Sequence, residues 1–155
     1  MKFNTNLTVA YSQISLEDLS TLSEFKSVDW NSEELNSMLC VNPNFIVIGT
    51  ATSIRASFYL DVLDAEPNLD LKVWDHVNLC SINLISGLYV TGAFDTEGET
   101  LEIPMEPGIY AALICYRGLD TISPDGLSGD DSYHVFMWPV KAMIPKKVLK
   151  QWLRK

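Results

Sequence analysis

The chain has 155 residues, 47% hydrophobic and 20% charged, and its 20 Asp and Glu against 11 Lys and Arg leave a formal net charge of -9. The apolar fraction excludes an acidic disordered protein, and the length suits one domain that buries a normal core without disulfide or metal staples. The negative balance counts against nucleic acid as a direct partner, because phosphate binding needs a basic face that releases counterions. Taken along the chain, most segments have strand patterns. Residues 7–14 alternate Leu7, Val9 and Tyr11 with Thr8 and Ser12, and residues 45–48 are apolar on both faces, as a central strand is. Residues 56–63 place Phe58, Leu60 and Val62 on one face and Asp61 on the other, and residues 71–77 and 82–94 follow as further strands. Asp95-Thr96-Glu97-Gly98-Glu99 has the composition of a hairpin turn, and residues 100–103 return with Leu101 and Ile103 inward and Glu102 outward. Pro107-Gly108 turns into residues 109–116, again apolar on both faces, and residues 133–140 form the last strand.

Helical signals are fewer. Asn31 is an N-cap candidate with Glu34 three positions on, heading Leu35, Met38 and Leu39. Residues 15–18 offer a weaker start that competes with a continued strand. At the chain end, Pro145 fits a first helical position, and Val148, Leu149, Trp152 and Leu153 form one stripe beside Lys146, Lys147, Lys150 and Arg154. These patterns predict a mainly β fold, an antiparallel β-sandwich or barrel-like sheet pair, over residues 1–142. A basic amphipathic helix over residues 143–155 is appended to the same domain.

Charge divides the same way. Residues 1–140 hold all 20 acids and five bases, a formal charge of -15, whereas residues 141–155 hold six bases and no acid, a charge of +6. The basic end has three readings: docking on its own acidic body, contact with an anionic membrane surface, or pairing with a partner helix. Cys40, Cys80 and Cys115 are odd in number, lack metal-ligand spacing and sit among aliphatic residues, as buried free thiols of a reducing compartment do. The N-terminus lacks the apolar core of a signal peptide, and no apolar run is long enough to span a bilayer. The expected location is the cytoplasm, with the inner face of the membrane as a further option.

Residues suited to catalysis are sparse. His76 and His134 are the two histidines; pairing Cys80 with His76 or Cys115 with His134 would give a nucleophile and base, but neither cysteine sits on a sharp catalytic turn. No metal-ligand spacing or phosphate-binding glycine loop occurs, and residues 125–131 lack the ligand alternation of a calcium loop. No cofactor, metal or catalytic residue is therefore expected. Two aromatic positions have structural explanations: Trp30 as a plug under the helix entry, and Tyr110 as the Tyr that ties back a sandwich corner. Two acidic groups remain, Asp95, Glu97, Glu99, Glu102 and Glu106 around the hairpin and Asp120, Asp125, Asp130 and Asp131 after the penultimate strand. Such clusters keep a protein soluble and guard sheet edges. Joined into one negative surface, they would be the contacts for a basic partner.

The order of segments resembles the competence protein J family. The resemblance is carried by residues 7–16 (LTVAYSQISL), 28–35 (VDWNSEEL), 44–51 (NFIVIGTA) with 57–64 (SFYLDVLD), 101–115 (LEIPMEPGIYAALIC) and 133–140 (YHVFMWPV). Its most distinctive pieces are the Asp29-Trp30 pair and the strand entered through Pro107-Gly108-Ile109-Tyr110. The basic end over residues 143–155 departs from the family pattern. The family comprises small acidic bacterial inhibitors of the DNA-entry nuclease, so the resemblance implies a non-catalytic inhibitor whose partner is a basic nuclease. Carboxylates would then stand where phosphate oxygens bind, and opposite charge would steer the encounter. Two other readings remain: an immunity protein against a different toxin, and a small-molecule-binding β-sandwich or barrel module.

Overall fold

The computed structural model describes residues 1–9, 11–24, 26, 28–92 and 99–153. In chain order its elements are β1 (Lys2–Thr8), β2 (Gln13–Asp18), α1 (Ser32–Ser37), β3 (Leu39–Asn42), β4 (Phe45–Gly49), β5 (Arg55–Val62), β6 (His76–Leu84), β7 (Leu88–Thr91), β8 (Leu101–Ile103), β9 (Gly108–Arg117), β10 (Ser132–Val140) and β11 (Lys147–Lys150). They form a six-stranded sheet, β1-β5-β10-β9-β6-β11, and a five-stranded sheet, β3-β4-β2-β7-β8. The strands are made by period-two burial: in β5, Ala56, Phe58 and Leu60 are buried while Arg55 and Tyr59 are exposed. Between the sheets, Leu16, Ile46 and Ile48 meet Phe58, Ile82, Ile114 and Tyr133 in one core. Behind the six-stranded sheet, Trp74, Val77, Leu113, Cys115 and Trp138 form a second apolar layer, closed by Leu69, Leu71 and Ile144. That second layer is why β9 is apolar on both faces.

Several sequence expectations are changed by the structure. The sandwich is not wholly antiparallel: β5 and β10 pair in parallel, with the long intervening chain as crossover. Residues 7–14 are not one strand. The chain leaves β1 at Thr8 and enters β2 of the other sheet at Gln13, turning through Tyr11 (φ 66°) and Ser12 (φ 55°). Residues 82–94 likewise divide between β6 and β7, in different sheets. Residues 15–18 belong to strand, not helix, and residues 71–73 form a short 3₁₀ turn before β6. The hairpin tip at residues 95–98 lies outside the described residues; β7 and β8, which flank it, pair antiparallel.

The largest correction concerns the C-terminal end. No basic amphipathic helix forms; residues 147–150 are an edge strand, antiparallel to β6, with Lys147 opposite Leu79 and Val148 opposite Asn78. An isolated helix this short is marginal in water. The free edge of β6 instead offers a row of unpaired backbone groups, and Ile144 N donates to Ser81 Oγ at 2.7 Å to set the entry. Lys146 Nζ then reaches the end of α1, donating to Ser37 Oγ (2.6 Å), Leu39 O (2.8 Å) and Glu33 Oε2 (2.9 Å). Lys150 Nζ donates to Leu71 O at 3.0 Å.

Two local expectations hold. Asn31 Oδ1 accepts from Glu33 N and Glu34 N at 3.0 and 3.2 Å and starts α1. Tyr110 Oη donates to Glu106 O at 2.7 Å and closes the corner before β9. Tyr110→Phe is expected to lower unfolding free energy by about 1 kcal/mol, since one neutral hydrogen bond is lost without a change of shape; urea denaturation followed by fluorescence checks it, and an unchanged midpoint would show that the corner holds without it.

Candidate functional site

The acidic loop between β9 and β10 is built on Gly118. Its φ of 76° is open to glycine, and a Cβ there would stand 2.4 Å from Asp130 O, so the two ends of the loop close on each other. Leu119 N donates to Asp75 Oδ2 (2.9 Å), Asp130 N to Thr121 Oγ1 (2.8 Å) and Ser123 N to Ser128 O (2.7 Å). This bracing separates the four acids of the loop. Asp125 is exposed at the tip, where the Ser123 hydroxyl and then the Leu127 amide hold its carboxyl below the usual range. Asp130 is exposed, and Asp120 is exposed with its Oδ1 accepting from Trp152 Nε1 at 3.1 Å. Asp131 is buried: its carboxylate accepts from Thr52 Oγ1 and, at 2.6 Å, from Tyr133 Oη. It anchors the loop rather than facing a partner.

The hairpin acids occupy other places. Glu99 pairs with Arg55 at 3.1 Å and accepts from Thr8 Oγ1 at 2.9 Å. Arg55 and Asp130 line one surface depression with Ser132. Glu102 is exposed on β8, an edge strand opposite Tyr89. Glu106 is exposed at the start of β9, whose ten residues separate it from Asp120 by roughly 30 Å at 3.3–3.4 Å per residue. Asp95 and Glu97 lie outside the described residues. The structure therefore brings Asp120, Asp125 and Asp130 onto one loop, keeps Glu99 paired with Arg55, and leaves Glu106 at the far end of the sandwich.

Next to that loop lies a pocket of 420 Å³ that sequence reasoning missed, walled by Tyr11, Ser12, Trp30, Leu35, Met38 and Trp152. Leu119 and Ile122 of the acidic loop complete it. Trp30 is thus a wall of the pocket as well as a support beside the α1 entry, and its indole N–H is buried without an acceptor. Trp152 is fixed from both ends: its backbone N–H donates to His76 Nδ1 (2.9 Å) and its indole to Asp120. His76 Nε2 in turn meets Ser37 O at 2.8 Å, so the proton sits on Nε2 and the ring is neutral. Burial holds the His76 pKa below the ordinary value against the opposing Ser37 and Asn78 bonds, with Lys146 adding to the depression.

On the outer face of the six-stranded sheet, Arg117 stacks 4.3 Å over Trp74, Trp74 lies 4.8 Å from His134, and His134 stacks 4.4 Å on Tyr59. Burial, with Arg117 adding to it, pushes His134 down to about 4. Cys115 is the cross-strand neighbour of His134, and burial pushes its thiol, like that of Cys80, up to about 12. Neither cysteine is a thiolate at neutral pH, and neither histidine is a cation that would stabilise one. The three cysteines are free and buried. Among the described residues no helix is long and apolar enough to cross a membrane, and no three metal-ligating side chains converge.

No protein-family model matches the chain, and no curated protein matches its sequence. Among solved structures, the crystal structure of ComJ from Bacillus subtilis, an inhibitor of the DNA degrading activity of NucA, superposes with a TM-score of 0.70 at 13% identity. The match covers 90% of this chain and 98% of that one. The chain shares the ComJ fold. A second structure, described as crocagin biosynthetic gene J, matches with a TM-score of 0.57 at 15% identity, over 91% of this chain and 99% of the other. At these identities the likeness speaks of the fold, and the same fold serves proteins of different description. The resemblance seen in the order of sequence segments is thus matched by the ComJ fold in three dimensions.

Proposed function

We propose that the chain is a protein inhibitor of a DNA-degrading nuclease, acting stoichiometrically and without chemistry by filling the enzyme's basic cleft. The observation that carries this reading is the likeness to ComJ along nearly the whole of both chains. The surface chemistry supports it: Asp120, Asp125 and Asp130 project from a loop whose backbone is braced by its own hydrogen bonds, so three carboxylates are held in place before an encounter. Such a loop offers phosphate-like charge to a cleft that binds DNA, at little cost in ordering. The test titrates the purified chain into a DNA-degradation assay with NucA, the enzyme whose activity ComJ inhibits. Full inhibition near one equivalent is expected, and full activity at molar excess in low salt ends the reading. The triple variant Asp120→Lys, Asp125→Lys and Asp130→Lys is expected to slow association by about 10–100-fold at low salt, an effect that shrinks as salt rises. Rapid-mixing kinetics at two ionic strengths measures it.

A second reading, a module for a small apolar molecule, is favoured by the 420 Å³ pocket, a size usual for such ligands. The space between the two sheets itself is occupied by Phe58, Tyr116, Tyr133 and their neighbours, so a ligand of this kind would sit at the end of the sandwich and not inside it.

A further inference from the structure

The pocket beside the acidic loop combines three features that set it apart from a passive surface dip. The first is backbone strain. Tyr11, Ser12 and Met38 hold left-handed conformations that side chains disfavour, and these are all the non-glycine residues with positive φ among those described. All three line this one pocket. Strain of this kind persists where the surrounding structure holds it, and it gathers at binding surfaces. The second is the buried indole N–H of Trp30, which lacks an acceptor although a buried donor of that kind is costly and rare. The third is apolar exposure: Tyr11 is 77% and Leu35 59% exposed at the mouth. Large exposed side chains beside a concave apolar surface mark an interaction site.

The shape and the charge around it indicate what the partner is. A second depression, lined by Ser32, Asn36, Gln151 and Leu153, shares Leu35, Met38 and Trp152 with the first. The two adjoin at Leu35, Met38 and Trp152, and together they offer more length than a compact small molecule needs, which suits an extended segment bearing apolar side chains. Among the described residues, no charged side chain lines either depression. The rim of the first depression is acidic: the loop that contributes Leu119 and Ile122 carries exposed Asp120, Asp125 and Asp130, exposed Asp29 precedes Trp30, and the nearby Lys146 is paired with Glu33. An apolar floor with a charged rim is the usual anatomy of a protein interface, where the buried anchor supplies lifetime and the rim supplies steering.

We propose that this groove is the docking site for a basic polypeptide segment, which seats one bulky apolar side chain in the 420 Å³ pocket against Trp30 and Met38. Lysine or arginine residues on either side of that anchor meet the acidic loop. The owner of the segment rests on the inhibitor reading: it is the nuclease. Trp152, held by His76 and Asp120, is a preformed wall, so little ordering is required on binding.

The test has two arms, each using the full chain. In the first, NucA is bound to wild type, Leu35→Glu, Tyr11→Gly and the double variant Asp125→Lys with Asp130→Lys, and rates are read by surface plasmon resonance. Leu35 and Tyr11 are exposed, and glycine is at ease at the backbone angle of Tyr11, so melting temperatures of both variants are expected to stay within about 3 °C of wild type. Leu35→Glu and Tyr11→Gly are expected to raise the dissociation rate by about 10-fold or more with little change in association, whereas the loop variant slows association. Unchanged dissociation in both groove variants, with the loop variant still impaired, overturns the groove and leaves the inhibitor reading standing. In the second arm, the peptide Lys-Lys-Phe-Leu-Lys-Lys is titrated into ¹⁵N-labelled protein and the Trp30 indole N–H signal is followed. A saturable shift that Leu35→Glu abolishes supports the groove even where the nuclease does not bind, which separates its fate from that of the inhibitor reading. No shift with the peptide, or a shift with free indole and none with the peptide, overturns it, the latter in favour of a small apolar ligand.

Discussion

Asp18→Ala is expected to remove about 3 kcal/mol of unfolding free energy, because one buried carboxylate satisfies four part-buried donors at the place where the two sheets are joined. Asp18 ends β2 with no exposed surface. Its Oδ1 accepts from Ile85 N at 2.7 Å and Ser86 N at 2.9 Å, in the turn that carries the chain from β6 to β7. Its Oδ2 accepts from Ser20 N at 3.2 Å and from the Ser20 hydroxyl, capping the 3₁₀ turn over Leu19–Thr21. Alanine leaves these donors without partners, at about 1–3 kcal/mol for each that water cannot reach. Burial alone would raise the Asp18 pKa, but the Ser20 hydroxyl and the Ser86, Ile85 and Ser20 amides together outweigh it and hold the carboxyl below its ordinary 3.8. A depressed folded-state value means that the contribution is present above the unfolded pKa and lost as pH falls through the folded one. Asp18→Asn keeps an acceptor but loses the charge, and a loss of about 2 kcal/mol is expected. Urea unfolding of both variants at pH 7 measures the effect; an Asp18→Ala loss below about 1 kcal/mol would mean that water replaces the carboxylate at this turn.

Asp18 also shows where the sequence is legible and where it is not. Strands buried on both faces, such as β4 and β9, announce themselves as unbroken apolar runs, and Asn31 announces α1 by its chemistry. The sheet to which a strand belongs has no such signal. Leu7 of β1 and Ile14 of β2 bury in the same core from opposite sheets, so the alternation of residues 7–14 is indifferent to the crossing at Tyr11 and Ser12. The chain end fails for a related reason. The stripe of Val148, Leu149, Trp152 and Leu153 fits a helix locally, but the decisive partner, the open edge of β6, lies some seventy positions away. In the candidate site, acidity was readable and availability was not: Asp130 and Asp131 are neighbours in sequence, and only Tyr133 and Thr52 decide that one faces solvent and the other is an internal anchor. The pocket was out of reach entirely, since its walls come from residues 11–13, 30–38, 49–51, 119–122 and 152 and no segment alone contains its pattern.

Acidification from pH 7.5 to 4 is expected to destabilise the chain by about 2 kcal/mol before most carboxylates titrate, and the two histidines are the reason. His134 has a folded value of about 4 against an ordinary 6.5, because burial in the Tyr59–His134–Trp74 stack disfavours its charged form and Arg117 repels it, with Asp61 partly opposing. A value depressed on folding means that the unfolded chain binds the extra proton. Stability is therefore full above about pH 6.5, falls as pH drops through 6.5, and levels off below about 4. At 1.36 kcal/mol per unit the window corresponds to about 3 kcal/mol, reduced to about 2 because His134 is only half-buried and solvent screens its surroundings. His76 shifts in the same direction and adds a local consequence: a proton on Nδ1 would face the Trp152 N–H that this nitrogen now accepts, so the segment after β11 loses its tether. Lys146, bound to the end of α1 nearby, adds like charge against that proton. His134→Phe keeps the stack and removes its titration, so its unfolding free energy should slope less from pH 7 to 5 than that of wild type, with the remainder due to His76. His76→Gln should leave most of the wild-type slope and instead loosen Trp152, seen as a change in its indole signal at pH 7. A wild-type slope preserved in His134→Phe would place the acid sensitivity elsewhere in the chain.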